Sequence, residues 1–259
     1  MQFWKFHGTG NDFIMIDNRD NSFNTNANYI YHLCHRHLGI GADGLITLNK
    51  SDIADFAMTY YNADGYEGTM CGNGGRCIAA FAHMSGITRG STTVFEAMDG
   101  LHQARILKHS KNNWQVSIQL KDISDAQEKF NDTGSPHHIE FVDDIDNANI
   151  IERGRQIRHS PDYKAIGGVN VNFAVTDNQS LQMRTYERGV ESETLSCGTG
   201  TTATVIAYAI KENIDHGPVK VKTKGGTLTV NFKKSGQNVF TDVWLEGPVV
   251  NVFNGEFNE

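Results

Sequence analysis

Two cysteine-bearing stretches hold the residue types best suited to chemistry. The first is Met70-Cys71-Gly72-Asn73-Gly74-Gly75-Arg76-Cys77, which runs into the apolar segment Ile78-Ala79-Ala80-Phe81-Ala82. The second is Ser196-Cys197-Gly198-Thr199-Gly200-Thr201-Thr202-Ala203. Each reads as a cysteine on a glycine-rich loop that opens into a helix. Such a helix start offers backbone N–H groups without intrahelical partners and the positive end of the dipole. Both features favour a bound anion, and both favour thiolate over thiol at the cysteine.

A group needed twice suggests inversion of a carbon stereocentre by proton transfer. One base removes the α-proton from one face, and a conjugate acid returns a proton to the other. Thiols held at helix starts have acidities that can be matched to neutral pH. A carbanion-like state also needs donors around the substrate carboxylate, and the amides of Gly72-Asn73 and Gly198-Thr199 could supply them. A reversible Cys71–Cys197 redox pair is the rival reading, but it has no need of carboxylate-binding loops. Cys34 and Cys77 read as small buried hydrophobes. Neither a Cys71–Cys77 pair nor Cys34-His35-Arg36-His37 has the paired spacing of a zinc site, so no metal is expected. The phosphate-loop signature is absent, because no Lys-Ser/Thr follows the last glycine.

These stretches must be positioned by a chain of 259 residues, enough for one large core or two modest ones. The net charge of −7, without a Lys/Arg cluster, argues against a nucleic-acid partner. No apolar run has the length of a bilayer span, and Met1-Gln2-Phe3-Trp4-Lys5 lacks the features of a signal peptide. Four cysteines are too few for a disulfide framework in a chain this long, so reduced thiols and the cytoplasm are expected.

Patterning predicts strands at 3–6, 13–17, 45–48, 56–61, 92–97, 101–107 and 114–120. It predicts a helix over 28–37 and another over 74–85 that ends at Gly86. Residues 122–132 read as a connecting loop. Further strands are predicted at 139–142, 170–175, 182–186, 219–223, 227–232, 239–245 and 249–253, with a helix over 200–210. Sliding the sequence on itself by 126 residues superposes Gly8 on Gly134, Ile40-Gly41 on Ile166-Gly167 and Tyr60 on Tyr186. The same register superposes Glu67 on Glu193, Cys71-Gly72 on Cys197-Gly198 and Gly100 on Gly226. One register held across nearly a hundred residues indicates an internal duplication: two α/β halves, each with a cysteine at a helix start.

The motifs together resemble those of the diaminopimelate epimerase family, amino-acid epimerases that work without pyridoxal phosphate. His7-Gly8-Thr9-Gly10-Asn11-Asp12-Phe13 and His37-Leu38-Gly39-Ile40-Gly41-Ala42-Asp43-Gly44 match its N-terminal loops. Asn62-Ala63-Asp64-Gly65 before the first cysteine motif and Tyr186-Glu187-Arg188-Gly189 before the second complete the likeness. The resemblance implies that Cys71 and Cys197 are the two acid/base residues. It implies that Gly72-Asn73 and Gly198-Thr199 hold the reacting carboxylate and that Asn11 and Glu187 lie near the reacting amino group. Glu187 would also polarise one cysteine. His137, in Gly134-Ser135-Pro136-His137, would pair with the other cysteine. Asn62, Asn170 and Arg188 would hold the distal amino-acid end, where the planar fork of Arg188 suits a carboxylate.

Two positions depart from the family pattern. Ser135 stands where Asn is usual, and Gly44 stands where some members have Gln. The implied fold is α/β (α+β): two pseudo-symmetric domains, each an open barrel-like sheet round a central helix, with a cleft between them. The implied domains are 1–112 plus 249–259 and 113–248. The implied activity is interconversion of LL- and meso-diaminopimelate for lysine biosynthesis, without a cofactor, on a small-molecule substrate and with room for a homodimer. Two other readings stay open. A cysteine racemase for proline-type substrates would have no use for a distal guanidinium. An amino-acid-binding or redox-sensing protein without catalysis would keep its ligand affinity on Cys71→Ala substitution.

Overall fold

The computed structural model describes residues 1–88, 90–177 and 180–258, which form two compact units. The first comprises 1–118 and 247–259, and the second 119–246.

In the first unit the strands are β1 (Gln2–Gly8), β2 (Asn11–Asp17), β3 (Gly44–Asn49), β4 (Phe56–Asn62), β5 (Thr92–Ala97), β6 (Gly100–Ser110) and β7 (Asn113–Gln119). A later strand, β15 (Val239–Glu256), adds its second part, 247–256. Neighbours pair in that order, β15 pairs with both β7 and β1, and so the sheet closes into a ring of eight strands. Helix α1 (Ala27–Cys34) starts at Asn26, whose side chain accepts the Asn28 N–H. It stops at Cys34, not at 37 as the spacing suggests, because His35 is extended.

Helix α2 (Gly72–Met84) lies inside the ring. Every residue from Gly72 to Ala82 is buried, and the helix is small or apolar on all sides, as a core helix must be. Phe81 packs on Trp4 and Phe6 with ring centroids 5.0 and 5.9 Å away. A Cβ on Gly74 would lie 3.0 Å from Ile46, and one on Gly75 would lie 2.4 Å from Ile118, so these glycines let the sheet approach the helix. The helix ends at Gly86, which takes the left-handed conformation (φ 70°) expected of a glycine just past a helix.

The second unit repeats this plan. Its strands are β8 (Phe130–Asp132), β9 (Pro136–Phe141), β10 (Asn170–Asp177), β11 (Ser180–Glu187), β12 (Ser192–Thr194), β13 (Val219–Thr223), β14 (Gly226–Gly236) and the first part of β15. Helix α3 (Ile150–Arg158) and a 3₁₀ turn at Pro161–Ile166 cover one side of the sheet. Helix α4 (Gly198–Lys211) is its core helix, with most of its residues buried. The 126-residue register survives in the backbone. Gly41 and Gly167 have φ of 80° and 73°, and Gly100 and Gly226 have φ of 121° and 143°. Left-handed glycines thus close equivalent turns in the two units.

The structure changes several boundaries. Both core helices begin two residues earlier than the spacing suggests, directly after Cys71 and Cys197. The segment 122–132 is not all loop: Ile123 bridges to Phe240, and Phe130–Asp132 is a strand. The two late strands are one, β15. The strand at 113–119 lies almost wholly in the first unit, because it pairs with β6 and with Gly247–Val250; the chain therefore crosses between units at 118/119 and 246/247.

Candidate active site

Cys71 and Cys197 occupy the same structural position, the residue that caps the start of a core helix. Their backbones are extended, with φ/ψ of −105°/126° and −126°/115°, and neither side chain makes a capping bond. The first helical bonds are Gly75 N–H to Cys71 O (2.7 Å) and Thr201 N–H to Cys197 O (2.9 Å). The amides of 72–74 and of 198–200 therefore precede the intrahelical ladder and present donors beside each sulfur. All four cysteines are free thiols. Cys34 and Cys77 are buried, and burial pushes the Cys34 thiol up to about 12 and the Cys77 thiol still higher, which suits structural roles.

Around Cys71, the Sγ lies 3.7 Å from Asn11 Oδ1. The same oxygen accepts from Asn73 Nδ2 at 3.2 Å, while Asn11 Nδ2 donates to Asp43 Oδ2 at 2.8 Å. Asp43 belongs to an ion network with Arg36, Asp12 and Lys5. Despite its burial, hydrogen bonds from Arg36 and Lys5 hold the Asp12 carboxyl well below the usual range. Arg76 reaches back along the helix, donating to Gly72 O at 3.1 Å and Asn73 Oδ1 at 2.8 Å.

Around Cys197, the Sγ lies 3.5 Å from Thr199 Oγ1, and that hydroxyl is 2.9 Å from His137 Nε2. His137 thus reaches Cys197 through a hydroxyl. Its other nitrogen, Nδ1, is 3.1 Å from Asn172 Nδ2. The orientation of Asn172 is fixed because Thr185 Oγ1 donates to its Oδ1 at 2.9 Å. Nδ1 must then accept, and Nε2 carries the proton toward Thr199 and Ser135. Complete burial, together with the positive charge of Arg188, holds the His137 imidazole down to about 3, so it is neutral at physiological pH. A Cβ on Gly200 would come 2.5 Å from Asn172 Oδ1, so glycine there lets the helix press against this pair.

The 126-residue register pairs these groups: Asn11 with His137, Asn73 with Thr199, Asn62 with Arg188 and Gly44 with Asn170. Asn62 and Glu187 end β4 and β11, each at the end of its sheet that adjoins the cysteine loop. Asn170 is buried; it donates to Ser135 Oγ and Pro136 O at 3.3 Å and accepts the Arg188 N–H at 2.9 Å. Arg188 itself donates to Gly168 O at 3.1 Å and forms no ion pair among the described residues. The Ser135 hydroxyl sits 2.9 Å from His137 Nε2 and supports the imidazole. No side chain fits at Gly44, where a Cβ would be 2.5 Å from the Tyr60 ring. Asn172, Thr185 and Arg76 are the neighbours that sequence reasoning assigned no role. Asn172 and Thr185 sit within strands and show no motif, whereas Arg76 lies within the first cysteine motif.

The family model for diaminopimelate epimerase matches residues 3–119 and 130–251. The chain belongs to the diaminopimelate epimerase family. It is 45% identical over 259 residues to a diaminopimelate epimerase of Flavobacterium psychrophilum, covering 98% of both chains. It is 42% identical to that of Chlorobaculum tepidum, covering 96% of this chain and 98% of the relative. Among solved structures, a PhzF-family phenazine biosynthesis protein of Bacillus anthracis shares the fold with a TM-score of 0.76 at 15% identity, covering 100% of this chain and 99% of that one. A hydroxyproline epimerase of Agrobacterium vitis does so with a TM-score of 0.71 at 17% identity, covering 98% and 91%. Family membership accounts for both cysteine motifs in one stroke, since they are the two copies of one duplicated unit.

Proposed function

We propose that the protein interconverts LL- and meso-diaminopimelate by two-thiol proton transfer at one α-carbon. The observation that carries this reading is the equivalent placement of Cys71 and Cys197, each capping the start of a buried helix in one copy of a duplicated unit. Family membership supports the choice of substrate.

In this mechanism one cysteine, as thiolate, takes the α-proton, and the other, as thiol, delivers a proton to the opposite face. The roles exchange in the reverse direction. The α-proton of an amino acid is a weak acid, so negative charge developing on its carboxylate must be stabilised. Amides at a helix start do this without reorganising, because their dipoles are already fixed by the helix. Cys71 is supported by Asn11, whose oxygen faces the sulfur. Cys197 is supported by the chain Thr199–His137–Asn172–Thr185, which holds a hydroxyl at the sulfur in one orientation. Glu187 serves the reacting amino group. Arg188, free of ion pairs among the described residues and steered by Asn170, receives the distal carboxylate. A proline-type substrate has one carboxylate and would leave that guanidinium without a partner.

The place of such an enzyme is the cytoplasm, where thiols stay reduced, and its product would feed lysine biosynthesis. No helix among the described residues is long and apolar enough to cross a membrane. The test is isomerisation by the purified, reduced protein of LL-diaminopimelate, meso-diaminopimelate and L-proline. Conversion between the first two with none of proline is expected. Turnover of proline instead, or of none of the three, would overturn the reading.

A further inference from the structure

Arg76 is the largest fully buried side chain of the protein, 0% exposed. Its guanidinium donates to Gly72 O and Asn73 Oδ1, its Nε has no hydrogen-bond partner, and it forms no ion pair among the described residues. A buried cation without a carboxylate is costly, and one turned toward the positive end of a helix more so. Burial lowers its pKa to about 10 while the Cys77 and Cys71 sulfurs raise it, so it stays charged at neutral pH. Cys77, fully buried, is held as the thiol. That leaves the Cys71 sulfur as the anion this charge can serve. The other charges on this side balance one another. Lys5 and Arg36 are paired with Asp12 and Asp43, His7 is held neutral by burial, and Glu67 is exposed.

The equivalent position in the second unit, 126 residues on, is Thr202. Its hydroxyl donates to Gly198 O at 3.2 Å, satisfying the same carbonyl that Arg76 satisfies, but with no charge. Cys197 is buried, 8% exposed, whereas Cys71 is half-buried. Its neighbour His137 is neutral, Glu193 is paired with Arg184 and Lys224, and Arg188 is followed back along the chain by the opposite charge of Glu187. The duplication therefore keeps the hydrogen bond and breaks the charge symmetry.

We propose that Arg76 is a positioning residue that makes Cys71, and not Cys197, the resting thiolate of the free protein. The idea rests on the two-thiol reading, in which a free protein with one thiolate and one thiol is ready for only one of the two isomers. That isomer is the one whose α-proton faces Cys71.

The experiment is a pH titration of thiolate ultraviolet absorbance in the substrate-free, reduced protein. It is run on the wild type, Cys71→Ser, Cys197→Ser, Arg76→Gln and Arg76→Lys. A thiolate step below pH ~8 is expected in the wild type and in Cys197→Ser, and it should vanish in Cys71→Ser. Arg76→Gln should move the step up by about one pH unit or more, a tenfold loss of thiolate at neutral pH, and Arg76→Lys should largely retain it. A step that vanishes in Cys197→Ser instead, no step in any protein, or a step unmoved in folded Arg76→Gln overturns the proposal. Should Arg76→Gln not fold, the two serine variants and Arg76→Lys decide. No substrate is present, so failure here leaves the epimerase reading to be judged by isomerisation alone.

Discussion

At the scale of single residues, the two thiols are equivalent in backbone and different in surroundings. Cys71 faces an amide side chain; Cys197 faces a hydroxyl held by a neutral imidazole. Thr199→Val keeps the shape of that side chain and removes the only group linking sulfur to ring in this chain of contacts. It is expected to lower kcat about 10- to 100-fold with a smaller change in KM, read from steady-state kinetics in both directions. His137 offers a second check. Its folded pKa, about 3, lies below the unfolded value of 6.5. The unfolded chain therefore binds the extra proton first. The stability that His137 contributes is complete above pH 6.5 and is lost as pH falls toward 3. The slope from one such group is at most about 1.4 kcal/mol per pH unit. Denaturation of the wild type and of His137→Gln across this range should show the smaller acid loss in the variant. Parallel curves would mean that the imidazole is not held neutral. Asn172 and Thr185, which fix the imidazole, could not be read from the sequence, because a hydrogen bond between neighbouring strands leaves no spacing signal.

At the scale of elements, the core helices and most strands were legible. The turn glycines and alternating apolar residues that mark them respond to local rules. Helix α3 was not. It is charged along most of its length, and only Ile150 and Gly154 are buried, so no apolar stripe announces it. Its reason is tertiary: a Cβ on Gly154 would lie 2.5 Å from Tyr186, and glycine lets the helix lie flat on β11. The exact helix starts were also missed. Gly72 and Gly198 read as loop, yet both are helical, which moves each cysteine from near a helix to its capping position. The strand β15 gave two separate signals at 239–245 and 249–253, because Gly247-Pro248 interrupts the pattern without breaking the strand. Its second part closes the eight-stranded ring by pairing with β7 and β1. Truncation after Glu246 would leave both of those strands with open edges and strip cover from the core. It is expected to give a protein whose first unit does not fold, seen as loss of amide-exchange protection in 1–118 while 119–246 keeps its own. Full protection in the first unit would show that closure is dispensable.

At the scale of the whole molecule, the 126-residue repeat joins sequence, fold and chemistry. A duplicated unit supplies the same acid/base group twice, and inversion of a stereocentre is a reaction that uses one group on each face of a carbon. The fold shared with other racemase-type structures is consistent with this, although fold alone does not choose the substrate. Arg188 and the diaminopimelate family match make that choice here. The account stands on the joint use of Cys71 and Cys197. LL-diaminopimelate incubated in deuterated water with the reduced wild type should yield meso product carrying deuterium at the epimerised α-carbon. Cys71→Ala and Cys197→Ala, each alone, should lose isomerisation, with at most exchange at the starting configuration in one of them. Isomerisation that persists in either single variant, or product without deuterium from the wild type, would contradict it.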